Sequence, residues 1–99
     1  MATRYAVATG NWSAVGTWDG GASLPGVGDD VYSNNFTVTI NQDINVGSLR
    51  NTSNASPAIT AGGGFEVSTA RTITLTGSGI VAGAATCFTY SASSPTSTT

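Results

Sequence analysis

The sequence predicts an all-β fold, built either as a short β-solenoid-like coil of parallel strands or as a small β-sandwich or jelly roll. Three observations carry this. Apolar residues alternate with Thr at period two in short blocks, the pattern of strands with one packed and one wet face. Helix formers other than Ala are scarce: there is no Lys, one Glu (Glu66), one Gln (Gln42), and Leu only at 24, 49 and 75. Turn and cap residues abound, with 13 Gly and many Ser, Thr and Asn.

Residues 1–30 read as an irregular capping or anchoring segment. Trp12 and Trp18 lie six apart in Gly-Asn-Trp-Ser-Ala-Val-Gly-Thr-Trp-Asp, on one side of an extended chain that Gly16 bends. Two readings apply: a cap over the end of the core, or a sugar-stacking platform. Leu24-Pro25-Gly26-Val27-Gly28-Asp29 is a turn, in which Pro presets φ and Asp29 and Asp30 serve as hydrogen-bonding turn residues.

Residues 31–90 read as the β-rich domain. Val31 opens a short strand; Phe36, Val38 and Ile40 alternate with Thr37 and Thr39; Ile44 and Val46 keep the parity, and Leu49 follows a Gly47 corner. Asn41-Gln42-Asp43 breaks two strands, and residues 50–57 form a polar loop. Residues 58–60 are a short strand around Ile59, and Gly62-Gly63-Gly64 is a corner. Phe65 and Val67 flank Glu66, and Ile73 and Leu75 alternate with Thr72, Thr74 and Thr76. Gly77-Ser78-Gly79 turns the chain before a strand at 80–82, and Phe88 and Tyr90 suggest another. Residues 91–99 are a Ser/Thr-rich flexible tail. Hairpin turns of the Asn-Gly type are missing, which favours a coil over a meander. The blocks Thr37-Val-Thr-Ile-Asn and Thr72-Ile-Thr-Leu-Thr resemble each other, but their spacing does not divide into rungs.

Composition excludes several functions. The chain has 99 residues, enough for one domain, and 8% are charged, against about 25% in an average soluble domain. Arg4, Arg50 and Arg71 are too few and scattered to follow a phosphate backbone, so no nucleic-acid partner is expected. With no His, imidazole catalysis and His-ligated metal are absent. Asp29 and Asp30 are adjacent and point opposite ways on a strand, and Asp19, Asp43 and Glu66 are isolated. No carboxylate pair, calcium loop, phosphate cradle, cofactor or catalytic residue emerges, and no enzyme is expected. Arg50 and Arg71 are expected in rim or inter-subunit ion pairs. Cys87 reads as a small buried apolar residue, with no basic neighbour to activate it. No apolar run reaches a membrane span and no secretory pattern opens the chain, so synthesis and assembly in a cytoplasm are expected.

The stretch from Trp18-Asp-Gly-Gly through Leu24-Pro-Gly-Val-Gly-Asp-Asp-Val31, Val38-Thr-Ile40 and Val46-Gly-Ser-Leu49 resembles the N-terminal segment of right-handed β-helix domains. Such domains occur in tailed-phage appendage and decoration proteins and in bacterial surface proteins. Gly63-Gly-Phe-Glu-Val67 and Ile73-Thr-Leu-Thr-Gly77 are similar to the rungs that follow. About two rungs are legible in this chain, too few to hide their own ends, so completion by oligomerisation is expected. The resemblance implies a threefold assembly. It also implies a non-enzymatic virion structural protein, either a capsid decoration (cement) subunit or a short fibre base, beside a major capsid or tail protein. Trp12, Trp18, Tyr32 and Phe36 are the candidate interface anchors. The alternative is a carbohydrate-binding or adhesin-type β module, with a glycan on the indoles.

Overall fold

The alternating blocks pair in parallel with the block one turn later, not with their sequence neighbours. The computed structural model describes residues 2–68, 71–83, 86–90 and 97–98. Its strands are β1 (Thr3–Tyr5), β2 (Gly10–Asn11), β3 (Asp30–Tyr32), β4 (Thr37–Thr39), β5 (Ile44–Arg50), β6 (Gly64–Val67), β7 (Thr72–Val81), β8 (Phe88–Tyr90) and β9 (Ser97–Thr98). Odd strands form one sheet, in the order β1-β3-β5-β7-β9, and even strands a second, β2-β4-β6-β8. Every ladder among the described residues is parallel, and antiparallel contact is confined to two isolated bridges, Ala6 with Trp18 and Asn54 with Ile59. A sandwich or jelly roll would be antiparallel, so the fold is a β-solenoid of about three turns, one more than the sequence suggests.

The coil has three sides. Side one stacks residues 3–5, 30–32, 48–50 and 79–81; side two stacks β2, β4, β6 and β8; side three stacks 44–46, 72–75 and β9. β5 and β7 are long because each rounds a corner and serves two sides. The chain therefore bends through residues 77–79 without leaving the strand, where the sequence suggests a turn. The corner between sides three and one is a stack of Gly28, Gly47 and Gly77. A Cβ on Gly47 would lie 2.6 Å from the Gly28 carbonyl oxygen, and one on Gly77 3.0 Å from that of Gly47. Only glycine lets successive rungs approach this closely.

Inward residues form vertical ladders. Val31 sits under Leu49 on side one, Val38 under Phe65 on side two, and Ile44 and Val46 under Ile73 and Leu75 on side three; all are buried. Continuing the side-two register by one residue aligns Trp12, Ile40 and Val67, also buried. The corner between sides one and two is held by asparagines. Asn34, at φ 53°, donates to the Ala6 carbonyl (2.8 Å) and accepts from Thr60 N–H (2.8 Å). Asn51, fully buried, donates to the Gly63 carbonyl (3.2 Å) and accepts from Gly83 N–H (2.6 Å). Their short amides reproduce backbone hydrogen bonds where the chain turns away from the ladder.

Residues 1–30 carry β1, β2 and a 3-10 turn at Val15–Thr17, so this segment supplies the first rung as well as a cap. Residues 58–60 make only the single bridge at Ile59. Within the tail, Ser97–Thr98 form β9; the rest of 91–99 lies outside the described residues.

Candidate functional site

The two ends of the coil are built differently among the described residues. At the first rung the side-one ladder begins with Arg4, in register under Val31, where a hydrocarbon would face water. Its guanidinium reaches the segment that folds across the end. Nε donates to Asp19 Oδ1 (2.9 Å), Nη1 to the Leu24 carbonyl (3.2 Å) and Ser23 Oγ (3.2 Å), and Nη2 to the carbonyls of Ser23 (2.9 Å) and Asp19 (3.2 Å). The Asp19 carboxylate also accepts from Tyr5 N–H (3.1 Å), and Asp19 N–H donates to the Tyr5 carbonyl (2.9 Å). Val7 N–H donates to the Thr17 carbonyl (2.7 Å). The outer edge of the chain is thereby occupied at Tyr5 and Val7.

Trp12 and Trp18 complete this cap from inside. They are 1% and 0% exposed, their rings meet edge to face with centroids 4.8 Å apart, and Trp18 Nε1 donates to the Trp12 carbonyl (2.9 Å). Trp12 also lies against Phe65, centroids 6.2 Å apart. Each buried indole is worth roughly 4–6 kcal/mol of area burial. Neither indole has surface exposed for a sugar or a partner in this structure.

Tyr32 and Phe36, the other two expected anchors, lie apart from the open end. Tyr32 is buried on the outer side of side one, under the Arg50 guanidinium, 5.8 Å above its ring. Phe36 is half-buried and packs against the core. Arg50 is tied within the chain: Nε donates to Ser48 Oγ (2.8 Å), Nη2 to Ser78 Oγ (3.1 Å), and Nη2 lies 3.8 Å from Asp30 Oδ1. This is an internal pair, not one reserved for another subunit.

At the last rung the same ladder ends in Ile80, stacked over Leu49 and 42% exposed, whereas Val31 and Leu49 are 0% exposed. Phe88, stacked over Phe65, is half-buried. Residues 79–81 pair with 48–50 on one side, and β8 with β6; among the described residues no strand takes their other side. No Asp, Glu, Lys or Arg follows Arg71 in the sequence, and the guanidinium of Arg50 reaches this rung from below, at Ser78 Oγ (3.1 Å). The ladder that ends there is apolar.

The side walls hold one shallow depression of about 330 Å³, lined by Thr37, Gly63, Gly64, Phe65, Glu66, Thr86 and Thr89. Glu66 accepts there from Thr39 Oγ1 (2.9 Å). Three of the remaining carboxylates are held within the chain, Asp29 and Asp43 by backbone N–H groups and Asp30 by a side chain. Asp29 accepts from Ala2 N–H (3.0 Å) and Gly26 N–H (2.7 Å), Asp30 from Ser48 Oγ (2.7 Å), and Asp43 from Thr72 N–H (2.9 Å). Among the described residues no three His, Cys, Asp or Glu gather to hold a metal. Cys87 is buried, its Sγ 3.6 Å from the Leu49 carbonyl, and burial pushes its thiol up to about 11. At that value the thiol is protonated at neutral pH and a poor nucleophile.

Ile80 was no candidate in the sequence, because nothing there marks it as the last rung; the loss of charge after Arg71 was the available signal. Comparison with protein-family models, with curated proteins and with solved structures finds no match.

Proposed function

We propose that this chain is a non-enzymatic structural protein of a tailed-phage virion. It is a surface-exposed capsid decoration (cement) subunit or short fibre base, assembled in the host cytoplasm beside a major capsid or tail protein. The observation that carries the reading is the asymmetry of the coil. One end is closed by the Arg4 and Asp19 pair over two buried indoles, and at the other the last described rung of side one leaves Ile80 exposed. A closed end suits solvent and an open one suits assembly. Low net charge, −2, lets many copies pack without mutual repulsion.

The test is mass spectrometry of gradient-purified particles from the source lysate, with immunogold labelling. The chain is expected in fixed ratio to the major capsid or tail protein, with label on shell or tail. A folded chain that stays in the soluble fraction and is missing from particles overturns the reading.

A second reading, a carbohydrate-binding or adhesin-type module, rests on the side-two depression, whose lining includes Glu66, Thr37, Thr86 and Thr89. It predicts glycan-array binding that Glu66→Gln abolishes; an array without hits removes it.

A further inference from the structure

We propose that the bond between Asp19 and Gly20 is a modification site, at which the aspartate isomerises to isoaspartate, and that the contacts closing the first rung hold this reaction in check. Once formed, the isoaspartate releases the cap for good. The inference is independent of where the protein resides and of what it assembles with.

Three observations converge on this bond. The first is the sequence. Asp19 is the one Asp or Asn in the chain followed by glycine; the other aspartates precede Asp30, Val31 and Ile44, whose side chains crowd the following amide. The second is the amide that would attack. Trp18, Asp19, Gly20 and Gly21 form a turn closed by Gly21 N–H on the Trp18 carbonyl (3.0 Å), with Gly20 at φ 80° in the third position, the signature of a type II turn. Gly20 is exposed, and its N–H has no hydrogen-bond partner among the described residues. A Cβ at Gly20 or Gly21 would meet nothing within 4 Å, so the turn has room to move. The third is the carboxylate. The Asp19 side chain is 22% exposed, within reach of water, yet its Oδ1 accepts from both Arg4 Nε (2.9 Å) and Tyr5 N–H (3.1 Å).

The chemistry needs only water. The Gly20 amide nitrogen bonds to Asp19 Cγ, and the amide proton departs with one protonated carboxyl oxygen as water, leaving a cyclic imide. Water then adds at the Asp19 α-carbonyl carbon, the bond from that carbon to nitrogen breaks, and the proton returns to nitrogen. The chain now runs through the side-chain carbon, one methylene longer, and the former main-chain carbonyl is a free carboxylate. Mass and charge are unchanged. Ring closure swings Cγ onto the Gly20 nitrogen, so Oδ1 must first leave Arg4 and Tyr5. The reaction therefore starts from the opened cap, and its rate follows the opened fraction. Its product does not close again, because the carboxylate that takes Tyr5 N–H and the Asp19 carbonyl that takes Arg4 Nη2 (3.2 Å) both change place. What Arg4 guards is a one-way release, timed by the opening of the cap itself.

The experiment incubates the full chain at pH 6 and physiological temperature and counts isoaspartate by electron-transfer fragmentation of the peptide holding residues 19–20. Isoaspartate is expected to form about tenfold faster in Arg4→Gln than in the parent, and faster still in the urea-unfolded chain. Asp19→Glu keeps the charge but would have to close a larger ring, and is expected to form no isomer there. Because Arg4→Gln can fail to fold, the parent supplies an independent readout. In urea below its unfolding transition, its isomerisation and its hydrogen exchange at Tyr5 are expected to rise together. The isomerised fraction, separated by chromatography and refolded, is expected to exchange the Tyr5 and Val7 amides early while the rest of the coil stays protected. Four results each overturn the proposal: a parent that isomerises as fast folded as unfolded, a rate in Arg4→Gln equal to the parent's, a parent rate indifferent to low urea, or an isoaspartyl form with Tyr5 and Val7 still protected.

Discussion

Gly47→Ala tests whether close stacking of rungs, more than local strand preference, holds this fold. Gly47 lies between two neighbours at the corner of the coil. An added Cβ would stand 2.6 Å from the Gly28 oxygen, 2.9 Å from the Gly28 carbonyl carbon and 3.1 Å from the Asp29 oxygen. All three are backbone atoms of the adjacent rung, so no side chain can swing away. Reaching an ordinary contact near 3.4 Å means parting the rungs by several tenths of an ångström. Gly47 N–H and Ser48 N–H both donate to Asp29 O, at 2.7 and 3.2 Å, and both bonds lengthen. Overpacking costs about 1–3 kcal/mol and each weakened hydrogen bond up to about 1 kcal/mol, so about 2–4 kcal/mol is expected. In a domain of this size that lowers the thermal midpoint by roughly 10–25 °C. The assay is far-ultraviolet circular dichroism on heating, with Gly16→Ala as control. A Cβ at Gly16 meets nothing within 4 Å, and that variant is expected within about 0.5 kcal/mol of the parent. If Gly47→Ala melts within a few degrees of the parent, the glycine stack is not what sets the rung spacing.

Asn51→Asp replaces a buried donor facing the Gly63 carbonyl with an anion. It is expected to cost about 2–4 kcal/mol at pH 7 and less as acid protonates the carboxyl, read as urea midpoints at pH 7 and pH 4. A loss independent of pH contradicts this. Asp19→Ala strips Arg4 and the Tyr5 amide of their acceptor, at about 2–3 kcal/mol, and should speed hydrogen exchange at Tyr5 and Val7 before the rest of the coil. Unchanged exchange there would mean that the cap does not hold the first rung. Burial raises the Cys87 thiol from 9.0 to about 11, so the fold favours the protonated form. The stability this gives is full below about pH 9 and is lost as pH rises towards 11, at about 1.4 kcal/mol per unit. Cys87→Ala should remove that part of the alkaline decline, and an identical decline in both proteins refutes the assignment.

Strand positions were legible because alternation of Val, Ile and Thr reports the packed face directly. The repeat was not, because successive rungs differ in perimeter. Thr3 stacks under Asp30, Asp30 under Ser48 and Ser48 under Gly79, which are steps of 27, 18 and 31 residues. The similar Thr37 and Thr72 blocks lie on different sides of the coil and never stack. Trp12 and Trp18 read as a cap from spacing and size alone. Arg4 did not, because a charge in an alternating strand signals the wet face, and only the fold brings Asp19 and three loop carbonyls around it. The exposure of Ile80 was not legible, because its place over Leu49 in the stack is not written in the sequence.

The unequal rungs have a practical corollary in the excursion between Asn51 and Gly62. Its base is tied by Gly62 N–H to the Asn51 carbonyl (2.9 Å) and by paired bonds between Asn54 and Ile59 (3.0 Å each), while residues 55–58 are exposed. The scaffold thus already tolerates one graft at this corner. Foreign peptide spliced into 55–58 would ride outside the stack as cargo, making the coil a small carrier for epitope display.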